Sequence, residues 1–352
     1  MEPMKDKSVK FQLSSVHLLI IGVFSFLLLH SNSGYGPEQG GENIRVMFYN
    51  VENLFDTLDS DLDDDEFLPG SMRRWNTYKY WNKLRNLRKV IMAAGEWSPP
   101  SLIGLCEVEN SDVLSDLLST TVLKRSDYEI LYSEGADSRG IGVALLYRKT
   151  FSLLSSRNYY PIESNGDTIL TRSVHFAKFS YREDTLGIIV THWPSRRGGV
   201  SATDKYRNMV SSLIRDKILA VERDTKIIIM GDFNCEPNSS SLQQMIRPIT
   251  GRVDSISYFN PVSLNSTART GSYKYQGRWL NYDQIIIDRR LIDVKAGLQY
   301  REKSFSIVQE EFLLTNDKTY RGVKPRSTWA GPGYIGGFSD HLPLIADFVY
   351  ID

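Results

Sequence analysis

Apolar residues along this chain follow two rhythms. Short unbroken runs without polar alternation read as strands buried on both faces. Residues 102–106 and above all 227–230 are of this kind, and 44–49 read as a first strand. Residues 128–133, 142–147, 282–287 and 342–350 read as further strands, and 305–310 as a short one. Residues 171–179 and 186–191 form the two arms of a predicted hairpin. The helical rhythm governs two long stretches. Residues 76–94 place Tyr80, Trp81, Leu84, Leu87 and Ile91 on one face. A helix from Ser201 to about Glu222, opened by the capping box Ser201-Ala202-Thr203-Asp204, buries Tyr206, Val210, Leu213, Ile214, Ile218 and Val221. Shorter helices are predicted at 112–119 and 240–246, and a loop rich in Gly and Pro at 318–337. Helices fall between strands, and neither an internal repeat nor a low-complexity tract interrupts them. The pattern predicts one mixed α/β domain, residues 44–352, with two central sheets flanked by helices.

The first 43 residues lie outside that pattern. Lys5, Lys7 and Lys10 precede an apolar run over 16–29, and Ser31-Asn32-Ser33-Gly34 supplies small residues for cleavage. Residues 1–33 therefore read as a secretory signal peptide, too short in its apolar run for an ordinary membrane span, and 34–43 as a linker. The expected location is secreted or periplasmic, with membrane anchoring if the signal is retained. No Cys follows the run, which argues against a bacterial lipid anchor. Cleavage removes the three lysines with Glu2 and Asp6, leaving the chain one charge negative, and removes His17 and His30. His175, His192 and His341 stay.

The 352 residues balance 42 basic against 42 acidic side chains. That excludes a protein that coats nucleic acid by bulk charge, and it leaves room for a local basic groove. Two cysteines, Cys106 and Cys235, are too few for a disulfide framework and read as two buried thiols, with a single bridge in an oxidising compartment as the alternative. The acidic loop 56–66 carries Asp59, Asp61, Asp63, Asp64 and Asp65. It lacks the turn Gly and closing Glu of a helix–loop–helix calcium site and reads as a solvated loop.

Candidate chemistry gathers where the apolar runs end. The run 227–230 stops at Gly231 and delivers Asp232 and Asn234 two residues apart, a spacing that in extended chain sends both to one side. Gly-Asp-x-Asn alone would equally suit a turn. The same kind of residue recurs at other strand ends: Asn50, Glu107, His192, Asp283, and Asp340 with His341. Each type binds hard cations, moves protons or holds phosphate. Turn composition alone does not explain their recurrence.

Six segments in this order resemble the endonuclease/exonuclease/phosphatase superfamily, the DNase I-like group. They are Phe48-Tyr49-Asn50-Val51-Glu52-Asn53-Leu54-Phe55, Cys106-Glu107-Val108-Glu109-Asn110, Thr191-His192-Trp193-Pro194-Ser195-Arg196-Arg197-Gly198-Gly199, Gly231-Asp232-Phe233-Asn234, Tyr282-Asp283-Gln284-Ile285 and Ser339-Asp340-His341-Leu342-Pro343. The resemblance spans nearly all of residues 44–352 and is nearest to secreted bacterial endonuclease-type members. It implies a four-layer αββα sandwich. It also implies that Asn50 and Glu107 position a divalent metal, usually Mg²⁺, with Mn²⁺ or Ca²⁺ as alternatives, and that Asp340 is a further acid beside it. Asp232 would orient or deprotonate the attacking water, and Asn234 would hold that water or a phosphate oxygen. His341, held in its tautomer by Asp283, and His192, as general acid, would face the scissile phosphate.

Around these, Arg139 is either a phosphate contact or a loop charge, while Arg196 and Arg197 favour a phosphate contact over a solvent-facing turn. Tyr273, Tyr275 and Trp279 could stack on a base or sugar, but they alternate as packed strand residues do, which favours packing. Glu52, Glu109 and Asn110 sit beside the motifs as supporting groups. The expected activity is metal-dependent hydrolysis of a phosphodiester, foremost by an endonuclease on DNA or RNA. A phosphorylated small molecule or a phospholipid head group is the alternative substrate, and no protein partner is indicated. A binding protein that had lost the chemistry would lack one of these positions, and none is missing.

Overall fold

The computed structural model describes residues 42–119, 121–136, 138–161, 172–196, 199–248, 257–265, 270–292 and 294–352. The proposed signal peptide, nearly all of the linker, Thr171 and Arg197 lie outside them. Strand β1 (Asn43–Leu54) is apolar on both faces because its sheet is covered on both sides. It pairs in parallel with β2 (Leu102–Val108). Beyond β2 lie β3 (Tyr128–Ser133) and β4 (Gly142–Arg148), with β4 paired to β2. The second sheet is built from β5 (Ser152–Tyr159), the hairpin β6 (Val174–Tyr181) and β7 (Asp184–His192), β8 (Lys226–Asp232), β9 (Tyr258–Phe259) and β12 (Asp283–Asp288). Its order is β5-β6-β7-β8-β12-β9, with β7 and β8 parallel. A small hairpin, β10 (Tyr273–Tyr275) and β11 (Arg278–Leu280), stands before β12. After β12 come β13 (Gly297–Tyr300) and β14 (Ser306–Ile307). After β15 (Leu314–Asn316), the stretch predicted as a loop holds three short strands, β16–β18 (Val323–Pro325, Trp329–Ala330, Gly333–Tyr334). The last strand, β19 (Leu344–Ile351), closes the first sheet in the order β13-β19-β1-β2-β4-β3, with β14 beside it.

The two sheets face each other across an apolar layer that includes Val46, Phe48, Val143, Leu145, Ile188, Val190, Ile228, Met230 and Ile285. The layer is tightly filled at Gly104, where a Cβ would meet Met230 Sδ at 2.4 Å. Helices α1 (Thr77–Ala94) and α2 (Ser111–Leu118) cover the outer face of the first sheet. Helices α3 (Val200–Leu213) and α4 (Ser240–Ile246) cover that of the second. The result is the four-layer αββα arrangement.

Several local expectations change. In α1, Trp81 is 41% exposed and Lys83 is buried in its place. Helix α3 starts at Val200 with Gly199, not Ser201, as its N-cap, and no side chain caps it. It continues into a π turn at Ile214–Leu219. The extra residue of that turn shifts the helical phase, so Leu219 is buried and Val221 is 69% exposed. β5 was not expected, because an edge strand with outward side chains carries no apolar run.

Candidate active site

The second sheet contributes one transverse row. His192 on β7 is the register partner of Asp232 on β8, and Asp232 is the partner of Asp283 on β12. The strand does not stop at Gly231. It runs on through Asp232, and Gly231 is required there because a Cβ would meet the Thr191 carbonyl oxygen at 2.3 Å. His341 joins the row through an isolated bridge to Tyr273. Its Nδ1 lies 2.7 Å from Asp283 Oδ2, and its Nε2 lies 3.9 Å from Asp232 Oδ2. From the other side His192 Nε2 comes within 3.6 Å of the same Asp232 oxygen. Asn234 departs from the extended geometry expected of it. Its φ of 49° turns the chain back, its N–H donates to Asp232 Oδ1 at 2.9 Å, and its side-chain amide donates to the Trp193 carbonyl at 3.0 Å.

The first sheet contributes its residues through irregular backbone. Both the β1–β2 and β2–β4 pairings shift register, between Asn50 and Leu54 and between Cys106 and Val108. Glu52, Asn53 and Glu107 all take left-handed φ values of 52–64°. Such conformations are uncommon outside glycine and gather at functional sites. Asn50 Oδ1 accepts from the Glu52 N–H at 3.0 Å, and its Nδ2 donates to Asp232 at 3.1 Å, bridging the two sheets. Glu107 Oε2 accepts from the Asn53 N–H at 3.0 Å. Its Oε1 lies 4.0 Å from His192 Nε2.

Charge in this cleft is unbalanced toward the negative. Burial and the nearby Asp283 push the Asp232 carboxyl up to about 6, and burial and Glu52 push that of Asp340 up to about 7. Burial, with Arg172, Arg139 and His341, drives His192 well below its ordinary value and keeps it neutral. Burial alone would depress His341, but Asp283 and Asp340 outweigh it and raise that imidazole well above its ordinary value. The two histidines therefore differ. Burial favours the neutral form of His192, and the carboxylates around His341 favour its charged form.

The predicted phosphate contacts divide. Arg139 donates to Asn53 Oδ1 at 3.2 Å, which places it on the Glu107 side. Arg196 donates to the Tyr282 hydroxyl at 3.1 Å and sits over its ring. Tyr282 stacks on Tyr273, and Tyr273 stacks on His341 at 4.6 Å between centroids, so Arg196 belongs to the His341 side. Glu109 accepts from the Asp56 N–H at 2.6 Å, and Asn110 caps α2, so both support the site from outside it. Cys106 and Cys235 are buried free thiols. His175 lies off the row. It is hydrogen-bonded to Asn158 at 2.7 Å, and burial lowers it to about 4.

Three supporting groups were not singled out from the sequence. Ser339 Oγ donates to the Asn50 carbonyl at 2.7 Å and accepts from the His341 N–H at 3.1 Å, tying the two halves together. Lys83 donates to the Phe338 carbonyl at 2.6 Å and lies 4.0 Å from Glu52. Arg207, fully buried, donates to the Pro194 carbonyl at 3.2 Å beneath the loop that follows His192. For Lys83 a signal existed. It stands three residues after Tyr80 and four before Leu87, on the face of α1 that the apolar spacing assigns to the interior.

The donor set suits a hard divalent cation. Glu107, Asp340 and Asn50 offer oxygen ligands, and burial together with neighbouring acids raises the carboxyls of Asp232 and Asp340. Asp232, Asp283 and His341 also bring ligand atoms within 4.8 Å of one another. The 2.7 Å contact between His341 and Asp283 makes that trio a carboxylate–imidazole pair beside a second carboxylate.

Residues 45–351 match the model of the endonuclease/exonuclease/phosphatase family. No curated protein matches the sequence. Among solved structures, a mannosyl-6-phosphatase from Bacteroides thetaiotaomicron is 15% identical, with a TM-score of 0.54 over 87% of this chain and 100% of that one. The human Nocturnin catalytic domain with bound sulfate is 17% identical, with a TM-score of 0.51 over 88% and 94%. A humanised D. rerio TDP2 is 15% identical, with a TM-score of 0.55 over 87% and 98%. At these identities the structures establish the sandwich fold, and the family match over nearly the whole described chain establishes kinship. The chain belongs to the endonuclease/exonuclease/phosphatase family and is a metal-dependent phosphoric ester hydrolase.

Proposed function

We propose that the protein is a secreted or periplasmic phosphodiesterase that cleaves DNA or RNA endonucleolytically with Mg²⁺ or Mn²⁺. The observation that carries this reading is the placement of Arg139 and Arg196 on opposite flanks of the Asp232 centre, one linked to the Glu107 side and one to the His341 side. A diester has a substituent on each side of its phosphorus, and a polynucleotide presents further phosphates in both directions. The motif order and the secretory character of residues 1–33 support it as well.

Glu107, Asp340 and Asn50 would hold the cation, which neutralises phosphate charge and polarises the phosphorus. Asp232, raised toward neutrality, is suited to take a proton from water, and Asn50 and the Asn234 N–H hold its carboxylate in place. His341, charged and braced by Asp283, stabilises the developing oxyanion. His192, neutral, donates a hydrogen bond to a phosphate oxygen.

A phosphomonoester or phospholipid head group is the second reading, favoured by the similarity to a mannosyl-6-phosphatase. A panel of supercoiled plasmid, single-stranded RNA, bis(p-nitrophenyl) phosphate and p-nitrophenyl phosphate separates the two. Metal-dependent nicking and diester turnover with little monoester turnover are expected. Efficient monoester turnover with intact nucleic acid would replace the nuclease reading with the phosphatase one.

A further inference from the structure

Loop 56–66 was expected to be solvated, yet the structure treats its aspartates unequally. Asp59 and Asp65 are exposed, whereas Asp64 is only 1% exposed. Ligand oxygens of the three lie within 4.8 Å of one another. Asp64 Oδ2 accepts from Ser60 Oγ at 2.7 Å, but Oδ1 is buried with no hydrogen-bond partner. A carboxylate oxygen stripped of water and given no donor is costly, and two more carboxylates beside it add repulsion. Arg73, which follows the loop, pairs with Glu66 at 2.8 Å rather than with them.

We propose that this loop binds one calcium ion through Asp59, Asp64 and Asp65, at a site separate from the catalytic cation. Calcium keeps its oxygen ligands at about 2.4 Å, so two ligands of one ion can stand up to about 4.8 Å apart. The three oxygens already satisfy that limit. Magnesium demands near-ideal octahedral geometry and gives up its waters reluctantly, which suits a loop of irregular carboxylates less well. The irregular coordination that calcium accepts, completed by water, requires neither the turn Gly nor the closing Glu of a helix–loop–helix site.

The ion would act on the cleft through two contacts. The Asp63 N–H donates to the Ser138 carbonyl at 2.8 Å, and Leu62 packs on Gly140, where a Cβ would meet Leu62 Cδ1 at 2.2 Å. Arg139 lies between these two positions. Fixing the acidic loop therefore fixes the segment that presents Arg139 to the site.

Calorimetric titration of the full chain with Ca²⁺, in saturating Mg²⁺, tests the assignment. The wild type, Glu107→Gln and the double variant Asp59→Asn/Asp65→Asn are compared, the last chosen because both side chains are exposed and their exchange spares the core. One calcium is expected to bind the wild type and Glu107→Gln alike, and to bind the double variant at least about tenfold more weakly. Calcium uptake that vanishes with Glu107, that is unchanged in the double variant, or that is missing from the wild type would overturn it.

Discussion

The two sheets build their halves of the cleft by different means. The second sheet does it by register: His192, Asp232 and Asp283 are direct partners across three regular strands, so their spacing is set by the sheet itself. The first sheet does it by departing from regularity. Its Asn50 and Glu107 sit at register shifts, beside residues with left-handed φ, and are oriented by backbone N–H groups. In the proposed mechanism the regular half would hold the groups that exchange protons and need fixed mutual distances. The irregular half would hold the oxygen donors for the cation, which must converge on a point as a flat strand cannot arrange.

If that division is right, substitutions in the regular half should damage turnover itself. Asp232→Ala should lower kcat/KM on bis(p-nitrophenyl) phosphate by about a thousandfold or more. A loss of only tenfold would break the division. Asp283→Asn, which weakens the brace on His341, should cost about a hundredfold in kcat, and combining it with His341→Ala should cost little beyond His341→Ala alone. Full additivity would show that Asp283 acts independently of the imidazole.

The pH profile sharpens the same contrast. In the proposed mechanism Asp232 would work as its carboxylate, and its carboxyl is raised to about 6, so kcat/KM should fall about tenfold per pH unit as the pH drops below that value. The residual activity of Asp232→Asn should lack this limb. The smallest effects belong to the flanks. Arg139→Ala and Arg196→Ala should each raise KM for a polynucleotide by about threefold to tenfold while barely changing monoester turnover. Equal effects on both substrates would remove the argument for a diester.

Much of the regular half could be read in the sequence, because each residue of its row terminates or opens an apolar run: Ile227–Met230 before Asp232, and Ile285–Ile287 after Asp283. The helices outside the sheets were legible for the same reason, through their periodicity. The bends were not. Left-handed backbone at Glu52 and Glu107 is carried by residues with no preference for it, and Asn53 and Asn234, of a type that does enter that region, are equally ordinary in turns, so the surrounding hydrogen bonds decide. The π turn that exposes Val221 is likewise a tertiary effect. The different charge states of His192 and His341 depend on neighbours far apart in the chain, among them Arg172 for one and Asp283 for the other. Spacing cannot reveal that.

The most direct test of the two-sheet account is a metal titration of turnover for Glu107→Gln beside Asp232→Asn. The account predicts that Glu107→Gln needs at least about tenfold more Mg²⁺ or Mn²⁺ and then recovers much of its rate, because it has lost affinity for the cation. Asp232→Asn should bind the metal at ordinary concentrations and stay slow at every one. The same metal dependence in both variants, or recovery of Asp232→Asn by added metal, would contradict the assignment of the two chemistries to the two sheets.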